Sequence, residues 1–258
     1  MARTERLNRY VMPVFLTAAA ALIVLTGYAM LSGDESTPDS GKPGALASAS
    51  ASPSASYAPP PDWTEPAHWA NLPRGARTDE RGMEIAFPHT VDGAVAMMVE
   101  SNSTVLEGAR GNVQAQLRLF DSYLGAADRT DENREVAELA AMEADKQLHR
   151  SMGLPAGSDL PPGAYVRTNV IGFKIISQSP DEVSAWLLSR VTMKAGETQA
   201  ETGSYMRSLV AVRWEGDWKS STAAYTKALA LDGTRPEIVA PGDRLFNESA
   251  WTAIREAS

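Results

Sequence analysis

The first pattern along the chain is an apolar segment without a single charge, at residues 11–31. Three arginines lie within the ten residues before it, and an acidic segment begins at Asp34. A helix rises about 1.5 Å per residue, so these 21 residues span about 30 Å, the thickness of the hydrocarbon core of a bilayer. The pattern therefore predicts a transmembrane helix over residues 11–31.

A cleaved signal peptide is the alternative interpretation of residues 1–31. The apolar segment is longer than the core of a typical signal peptide, which has about 7–15 residues, and Gly27-Tyr28-Ala29 is only a weak cleavage site. We therefore expect an uncleaved anchor. Because positively charged flanks face the cytoplasm, residues 1–10 are predicted to be cytoplasmic. The predicted localisation is the cell membrane, as a single-pass protein with an extracytoplasmic C-terminal domain.

Residues 32–62 form a second segment, in which Gly, Ser, Ala and Pro dominate and no apolar period survives. Such a composition cannot bury enough apolar surface to offset the entropy that ordering would cost. We expect a disordered spacer that holds a folded domain, residues 63–258, about 30 Å from the membrane.

A helical period of about 3.6 residues runs through the first half of that domain and predicts three helices. Thr90 is a good N-cap for the first helix, the second begins after Gly111, and the third extends from about Asp131 to Met152. The side chains predicted to face the core are Val91, Ala94, Val95, Met98, Val105 and Leu106 in the first helix, Val113, Leu117, Phe120 and Leu124 in the second, and Val136, Leu139, Ala140 and Leu148 in the third.

After residue 165 the period changes to 2, which predicts β-strands. The strands are expected at residues 165–177, 183–194, 205–214 and 218–224, with a bulge or bend at Gly172, a tight hairpin at Gly216 and a final short helix at 248–256. The predicted fold class is α+β, with the helices packed on one face of a curved, cone-like antiparallel sheet.

Charge and cysteine content exclude several classes of function. The chain has a formal charge of −8, and residues 63–258 carry −7 because the basic N-terminus and the acidic spacer contribute +2 and −3. Binding to a polyanion needs clustered Lys and Arg, so nucleic acid is excluded as a direct partner. The chain has no cysteine, which excludes disulfides, Cys-based zinc sites, a thiol nucleophile and a lipidated cysteine.

The helix–strand order, together with the sequence VRWEGDWK at residues 212–219, resembles the nuclear-transport-factor-2-like superfamily over residues 90–225. With a cytoplasmic stub, one membrane span and a spacer in front, the chain looks like the bitopic assembly proteins of type IV secretion systems in Gram-positive and actinobacterial conjugation. The resemblance implies a cone-shaped domain that acts as a scaffold. Some relatives carry two such domains, and this chain has room for one.

Two further short sequences, WANLPRG from Trp69 and FPHT from Phe87, resemble uncharacterised membrane proteins encoded beside actinobacterial conjugation genes. Large aromatics beside a linker usually pack onto the domain edge, and this is what we expect of Trp63 and Trp69. A partner-binding patch is the alternative for these two tryptophans.

The same superfamily includes isomerases and dehydratases that use acids, His or Tyr inside the cone, so the histidines and tyrosines of the domain are the candidates for a catalytic site. His68 and His149 are expected at the surface, and His89 is expected to have a local structural role, with catalysis as the alternative. Tyr165 and Tyr205 are expected in the core. Three scattered histidines do not form a zinc site, and no Ser nucleophile motif or phosphate-binding loop is present. No catalytic, cofactor-binding or metal-ligating residue is therefore predicted.

The sequence thus favours a membrane-anchored, extracytoplasmic scaffold without enzymatic activity, in a bacterial conjugation or secretion assembly. Its expected partners are the membrane and other envelope proteins, which would bind the concave face or an open edge of the sheet, and homo-oligomers are compatible with this interpretation. The alternative is an exported cone-fold enzyme or small-ligand-binding protein with a pocket between helices and sheet.

Overall fold

The computed structural model describes residues 62–109, 111–231 and 235–255, together with the backbone of Thr37–Pro38. The predicted transmembrane helix at 11–31 and nearly all of the predicted spacer lie outside these residues. Among the residues that are described, no helix is both long and apolar enough to cross a bilayer.

The described part of the chain contains five helices and ten strands, numbered here in chain order. The helices are Val91–Asn102 (α1), Asn112–Tyr123 (α2), Asp131–Met152 (α3), Thr222–Leu231 (α4) and Arg244–Glu248 (α5). The strands are Thr37–Pro38 (β1), Trp69–Ala70 (β2), Arg77–Thr78 (β3), Glu84–Ile85 (β4), Thr104–Glu107 (β5), Ala164–Gln178 (β6), Glu182–Ala195 (β7), Thr202–Trp214 (β8), Trp218–Ser220 (β9) and Thr252–Ile254 (β10).

Eight of the strands form one curved sheet, so the α+β class is confirmed. Its order is β1-β8-β7-β6-β10-β2, with β5 paired to β6 and β9 paired to β8. The pairs are antiparallel except β10 with β2, and β3 and β4 form a separate hairpin. The predicted meander is β6 to β9. The predicted bend is confirmed, because the register shifts between Val170 and Gly172, and a Cβ at Gly172 would lie 3.2 Å from the carbonyl oxygen of Thr252.

Helix α1 begins where the sequence predicts, because the Thr90 hydroxyl accepts a hydrogen bond from the N–H of Gly93 at 3.0 Å. The prediction that Val105 and Leu106 extend its apolar face is wrong, since the helix ends at Asn102 and both residues belong to β5. The Asn102 side-chain amide donates to the carbonyl of Met98, and β-branched residues then favour the extended conformation.

Helices α2 and α3 have nearly the predicted bounds, but their buried faces differ from the prediction. Val113 and Leu117 are half-buried, whereas Ala115 and Leu119 are buried. Leu139, predicted to face the core, is 60% exposed. The α2 sequence has apolar side chains on more than one face, so its period alone does not identify the face that packs inward.

The sheet is covered on both faces, whereas the sequence predicted helices on one. Residues 183–189 of β7 are all buried. Val183, Ala185 and Leu187 pack in one core cluster with α1, and Trp186 and Leu188 pack in another with α4 and the segment around α5. Because β7 is apolar on both sides, each side needs its own cover.

The C-terminal elements also differ from the prediction. The last meander strand ends at Ser220, and α4 follows because the Ser221 hydroxyl accepts a hydrogen bond from the N–H of Ala224. Instead of a final helix at 248–256, the short helix α5 precedes β10, in which Thr252 and Ala253 pair with β6.

The carboxylate of Asp217, in the β8–β9 turn, connects this turn to the segment that precedes α1. Its oxygens accept hydrogen bonds from the N–H groups of Ala86 and Phe87 at 2.9 and 3.1 Å, and from that of Trp218 at 2.9 Å. Ala86 has a φ of 62°, a left-handed conformation that costs energy for a residue with a side chain. The indole of Trp218 donates to the carbonyl of Pro88 at 2.8 Å. The predicted sequence motifs FPHT and VRWEGDWK therefore contact each other directly.

We expect Asp217→Asn to lower the free energy of unfolding by about 1.5–3 kcal/mol, because hydrogen bonds to a charged acceptor are lost on a partly buried group. Urea unfolding of the purified full chain, followed by tryptophan fluorescence, measures the change. Glu138→Gln, on the exposed side of α3, is the control and should leave the midpoint unchanged. Equal midpoints for both variants would show that Asp217 does not hold the segment.

Candidate functional site

The space between α1 and the sheet, where the resemblance implies a cone pocket, is occupied by side chains. Met97, Met98, Leu187 and Trp218 are fully buried there. Tyr123 is also buried, and its hydroxyl donates to the carbonyl of Glu84 at 2.8 Å. Burial, together with nearby carboxylates, raises the pKa of Tyr123 far above its ordinary value, so this hydroxyl keeps its proton. The centre of the domain is therefore a packed core.

Glu100, at the end of α1, is a second ionisable group near this core whose charged form is disfavoured. Burial raises its pKa, the neighbouring Glu84 carboxylate raises it further, and Arg74 acts in the opposite direction. Perturbed carboxyl groups cluster at active sites, so Glu100 with Tyr123 is the arrangement that an enzymatic interpretation would use.

His89 is held on the surface by contacts that suit a structural role. Its ring stacks on Trp214 with centroids 3.9 Å apart and planes 8° apart. Its Nε2 lies 2.9 Å from both the Pro180 carbonyl and an oxygen of Asp181. Since both neighbours are acceptors, Nε2 carries a proton and donates to them. His68, by contrast, has an exposed side chain, as predicted.

The prediction that His149 lies at the surface is wrong, because only 3% of it is exposed. Its Nδ1 lies 2.8 Å from the Asp145 carbonyl and its Nε2 lies 2.7 Å from the Ser158 carbonyl. Carbonyl oxygens only accept, so both ring nitrogens carry protons and the ring is an imidazolium. Its charge is matched by the Asp145 carboxylate, 3.2 Å from Nδ1. Burial alone would lower the pKa of His149, but these partners outweigh it and raise the pKa.

Trp63 and Trp69 pack against the C-terminal part of the domain, as expected for aromatics beside a linker. Glu65 accepts hydrogen bonds from both indoles, at 3.1 and 2.8 Å. A Cβ at Gly242 would lie 2.2 Å from the Trp63 ring, so only glycine permits this approach. The guanidinium of Arg255 lies over Trp69, 5.4 Å from the centre of its ring.

The prediction that both tyrosines lie in the core is wrong for Tyr165. Tyr165 and Tyr205 are half-buried on the sheet face opposite α1, and Tyr205 packs there against the core cluster that contains Trp186. This face is the one that α4 covers farther along the strands. The half-buried and exposed side chains on the rest of this face are named here the outer sheet surface, and they are Tyr165, Arg167, Asn169, Arg190, Lys194 and Tyr205.

The outer sheet surface is basic and aromatic in a domain that is acidic overall. Direct cross-strand pairs are Tyr165 with Lys194, Arg167 with Thr192, and Asn169 with Arg190. The Arg167 guanidinium lies 4.2 Å from the centre of the Tyr165 ring, and Arg167 and Asn169 are exposed. Sequence reasoning did not find this surface, although the alternation of polar and apolar residues along β6 and β7 was a signal for it.

The part of the chain that the structure describes contains no group of three or more His, Asp or Glu side chains placed to hold a metal ion. Comparison with models of protein families, with curated proteins and with solved structures finds no match for this chain. The resemblance to the nuclear-transport-factor-2-like superfamily and to conjugation proteins therefore stays a prediction from sequence.

The imidazolium of His149 makes stability depend on pH. Because the pKa is raised in the folded state, the stabilisation is complete below the unfolded pKa of about 6.5 and is lost as pH rises through the folded pKa. We expect the free energy of unfolding to fall over this range in the parent chain and much less in His149→Gln. Urea unfolding at a series of pH values tests this, with His68→Gln as the control. Parallel curves for all three proteins would contradict it.

Proposed function

We propose that this protein is a non-enzymatic interaction module, held at the bacterial cell membrane by residues 11–31, with its folded domain outside the cytoplasm. We place it in an envelope assembly of the conjugation or secretion type, where it would bind other envelope proteins. The observation that carries the proposal is the outer sheet surface, a half-buried basic and aromatic patch on an otherwise acidic domain, in which Arg167 and Asn169 are exposed.

The composition of this surface supports protein binding. Tyr and Arg are enriched at protein interfaces because each combines a large contact area with directed hydrogen bonds. Arg167 already lies against the Tyr165 ring, which holds both side chains in place before a partner arrives and lowers the entropy lost on binding. The packed core beneath α1 supports the same conclusion, since its side chains leave the surface as the place for recognition.

A membrane anchor would allow such a surface to act through weak contacts. A membrane helix would fix one end of the chain, and the segment rich in Gly, Ser, Ala and Pro would link it to the domain, with Thr37–Pro38 already paired to β8. Confining the domain and its partners to one membrane raises their effective concentration, often to the millimolar range, so weak contacts suffice for assembly.

The interaction proposal is tested by crosslinking in cells. A photo-crosslinking amino acid replaces Asn169 on the outer sheet surface, and the matched control carries it at Glu143, on the solvent side of α3. We expect envelope proteins in the adducts at Asn169, in several-fold greater yield than at Glu143, and a large decrease when residues 1–31 are deleted. Equal yields at both positions would contradict a specific surface, and yields that persist without the anchor would contradict the tether.

A second candidate, an enzyme or small-ligand-binding protein, is favoured by one observation, the raised pKa of Glu100 beside Tyr123. For an interaction module we expect Glu100→Gln to leave the Asn169 adducts unchanged and to make the fold more stable at neutral pH, because the buried charge is removed. Adduct yield and the thermal midpoint measure the two effects. Loss of cellular function in Glu100→Gln, with fold and adducts intact, would favour the enzyme.

A further inference from the structure

A concave groove of about 540 Å³ lies between α2, α3 and the β3–β4 hairpin. Val113 and Leu117, one turn apart on α2, form an apolar part of its wall, and Arg81, Arg118 and Arg134 contribute guanidinium groups. We name it the α2–α3 groove. The two apolar residues are the ones that the sequence placed in the core, and their half-exposed position here needs an explanation.

The groove has more positive than negative charge. Asp121 is shared by two arginines, since its oxygens bind Nη1 of Arg134 and lie 3.5 Å from Nε of Arg81. Arg81 also binds Glu80, an exposed residue, at 2.8 Å. Three guanidinium groups thus face two carboxylates in a domain whose net charge is strongly negative.

The arginines keep hydrogen-bonding capacity for another molecule. A guanidinium has five N–H donors, and the side chains of Arg81 and Arg134 remain 36% and 40% exposed. The Nε of Arg118 is buried without a hydrogen-bond acceptor. A buried donor without an acceptor is destabilising, and an incoming anion that draws this side chain outward would remove that cost.

We infer that the α2–α3 groove binds an acidic, partly apolar polypeptide segment of a partner protein. Carboxylates of the segment bind the planar guanidinium groups of Arg118 and Arg134, whose N–H donors match the geometry of a carboxylate. Its apolar side chains pack on Val113 and Leu117. This inference rests on the proposed function, because it names the chemistry of one partner of the interaction module.

The groove fits a carboxylate-bearing peptide better than a phosphate-rich ligand. Asp121 and Glu80 repel a doubly charged phosphate more strongly than a single carboxylate, and the negative domain disfavours a polyanion. The apolar wall of Val113 and Leu117 has no role in binding a free inorganic anion. An open concavity of this volume accepts two or three side chains of an extended chain.

The binding test uses fluorescence anisotropy with the full chain and a labelled peptide of alternating Glu and Leu. We expect binding that weakens with salt, and at least a tenfold loss of affinity in Arg118→Glu and in Leu117→Gln. Lys146→Glu, a charge reversal on the solvent side of α3, should change affinity less than twofold. Circular dichroism checks folding, and Arg118→Gln replaces any Arg118→Glu chain that does not fold.

Several results would overturn the inference. A peptide with Gln in place of Glu that binds equally well would exclude carboxylate recognition. Inorganic phosphate or a thymidine oligonucleotide that competes at the same charge concentration as the peptide would show an unspecific anion site. Deletion of residues 33–62 that raises peptide affinity more than tenfold would show that the chain's own acidic spacer, and not a partner, occupies the groove.

A crosslink at Gln114, an exposed residue of the groove, separates this inference from the proposed function. We expect adducts with an envelope protein at Gln114 that are lost in Arg118→Glu. Adducts at Asn169 without any at Gln114 would overturn the groove and leave the interaction module standing. Absence of adducts at both positions would overturn both.

Discussion

Asp217 satisfies backbone donors that no strand or helix would otherwise satisfy. The chain enters α1 through a turn at Ala86 and Phe87, whose N–H groups point toward the β8–β9 hairpin. Lys219 lies 3.5 Å from the same carboxylate and donates to the Ser122 carbonyl in α2 at 2.8 Å. One carboxylate therefore connects the segment before α1, the end of the meander and α2. The position of α1 over the sheet, and with it the packed core, depends on this connection.

Local signals explain why much of the fold is predictable from sequence. Thr130 caps α3 by accepting from the N–H of Asn133, and Gly153 ends the helix in a left-handed conformation, so both bounds are readable from a few residues. The alternation of polar and apolar residues likewise predicts the long strands β6 to β8. Gly216, which has a φ of 81°, predicts the tight turn after β8. These features are set by neighbours in the chain.

The wrong predictions concern features set by distant residues. Helix α4 exists as a cover for Trp186 and Leu188, which lie some forty residues earlier on β7, and local propensity did not reveal that need. The burial of His149 depends on Ser158, brought back by the loop after α3. The α2–α3 groove likewise gathers Arg81, Arg118 and Arg134 from three separate segments. The outer sheet surface is predictable only in part. The alternation of polar and apolar residues is a local signal, but the exposure of the polar face depends on which part of it α4 covers.

The strand β10 lies between β6 and β2, and this places the first and last parts of the domain side by side. Ala253 pairs in parallel with Trp69, and it pairs with Gly172 on its other side. A contact between residues so far apart in sequence has a large entropic cost of loop closure. The edge of the sheet therefore closes only after residue 254 has been synthesised, and the first and last strands of the described domain from residue 62 onward hold each other through two residue pairs, far fewer than the long strands of the meander share.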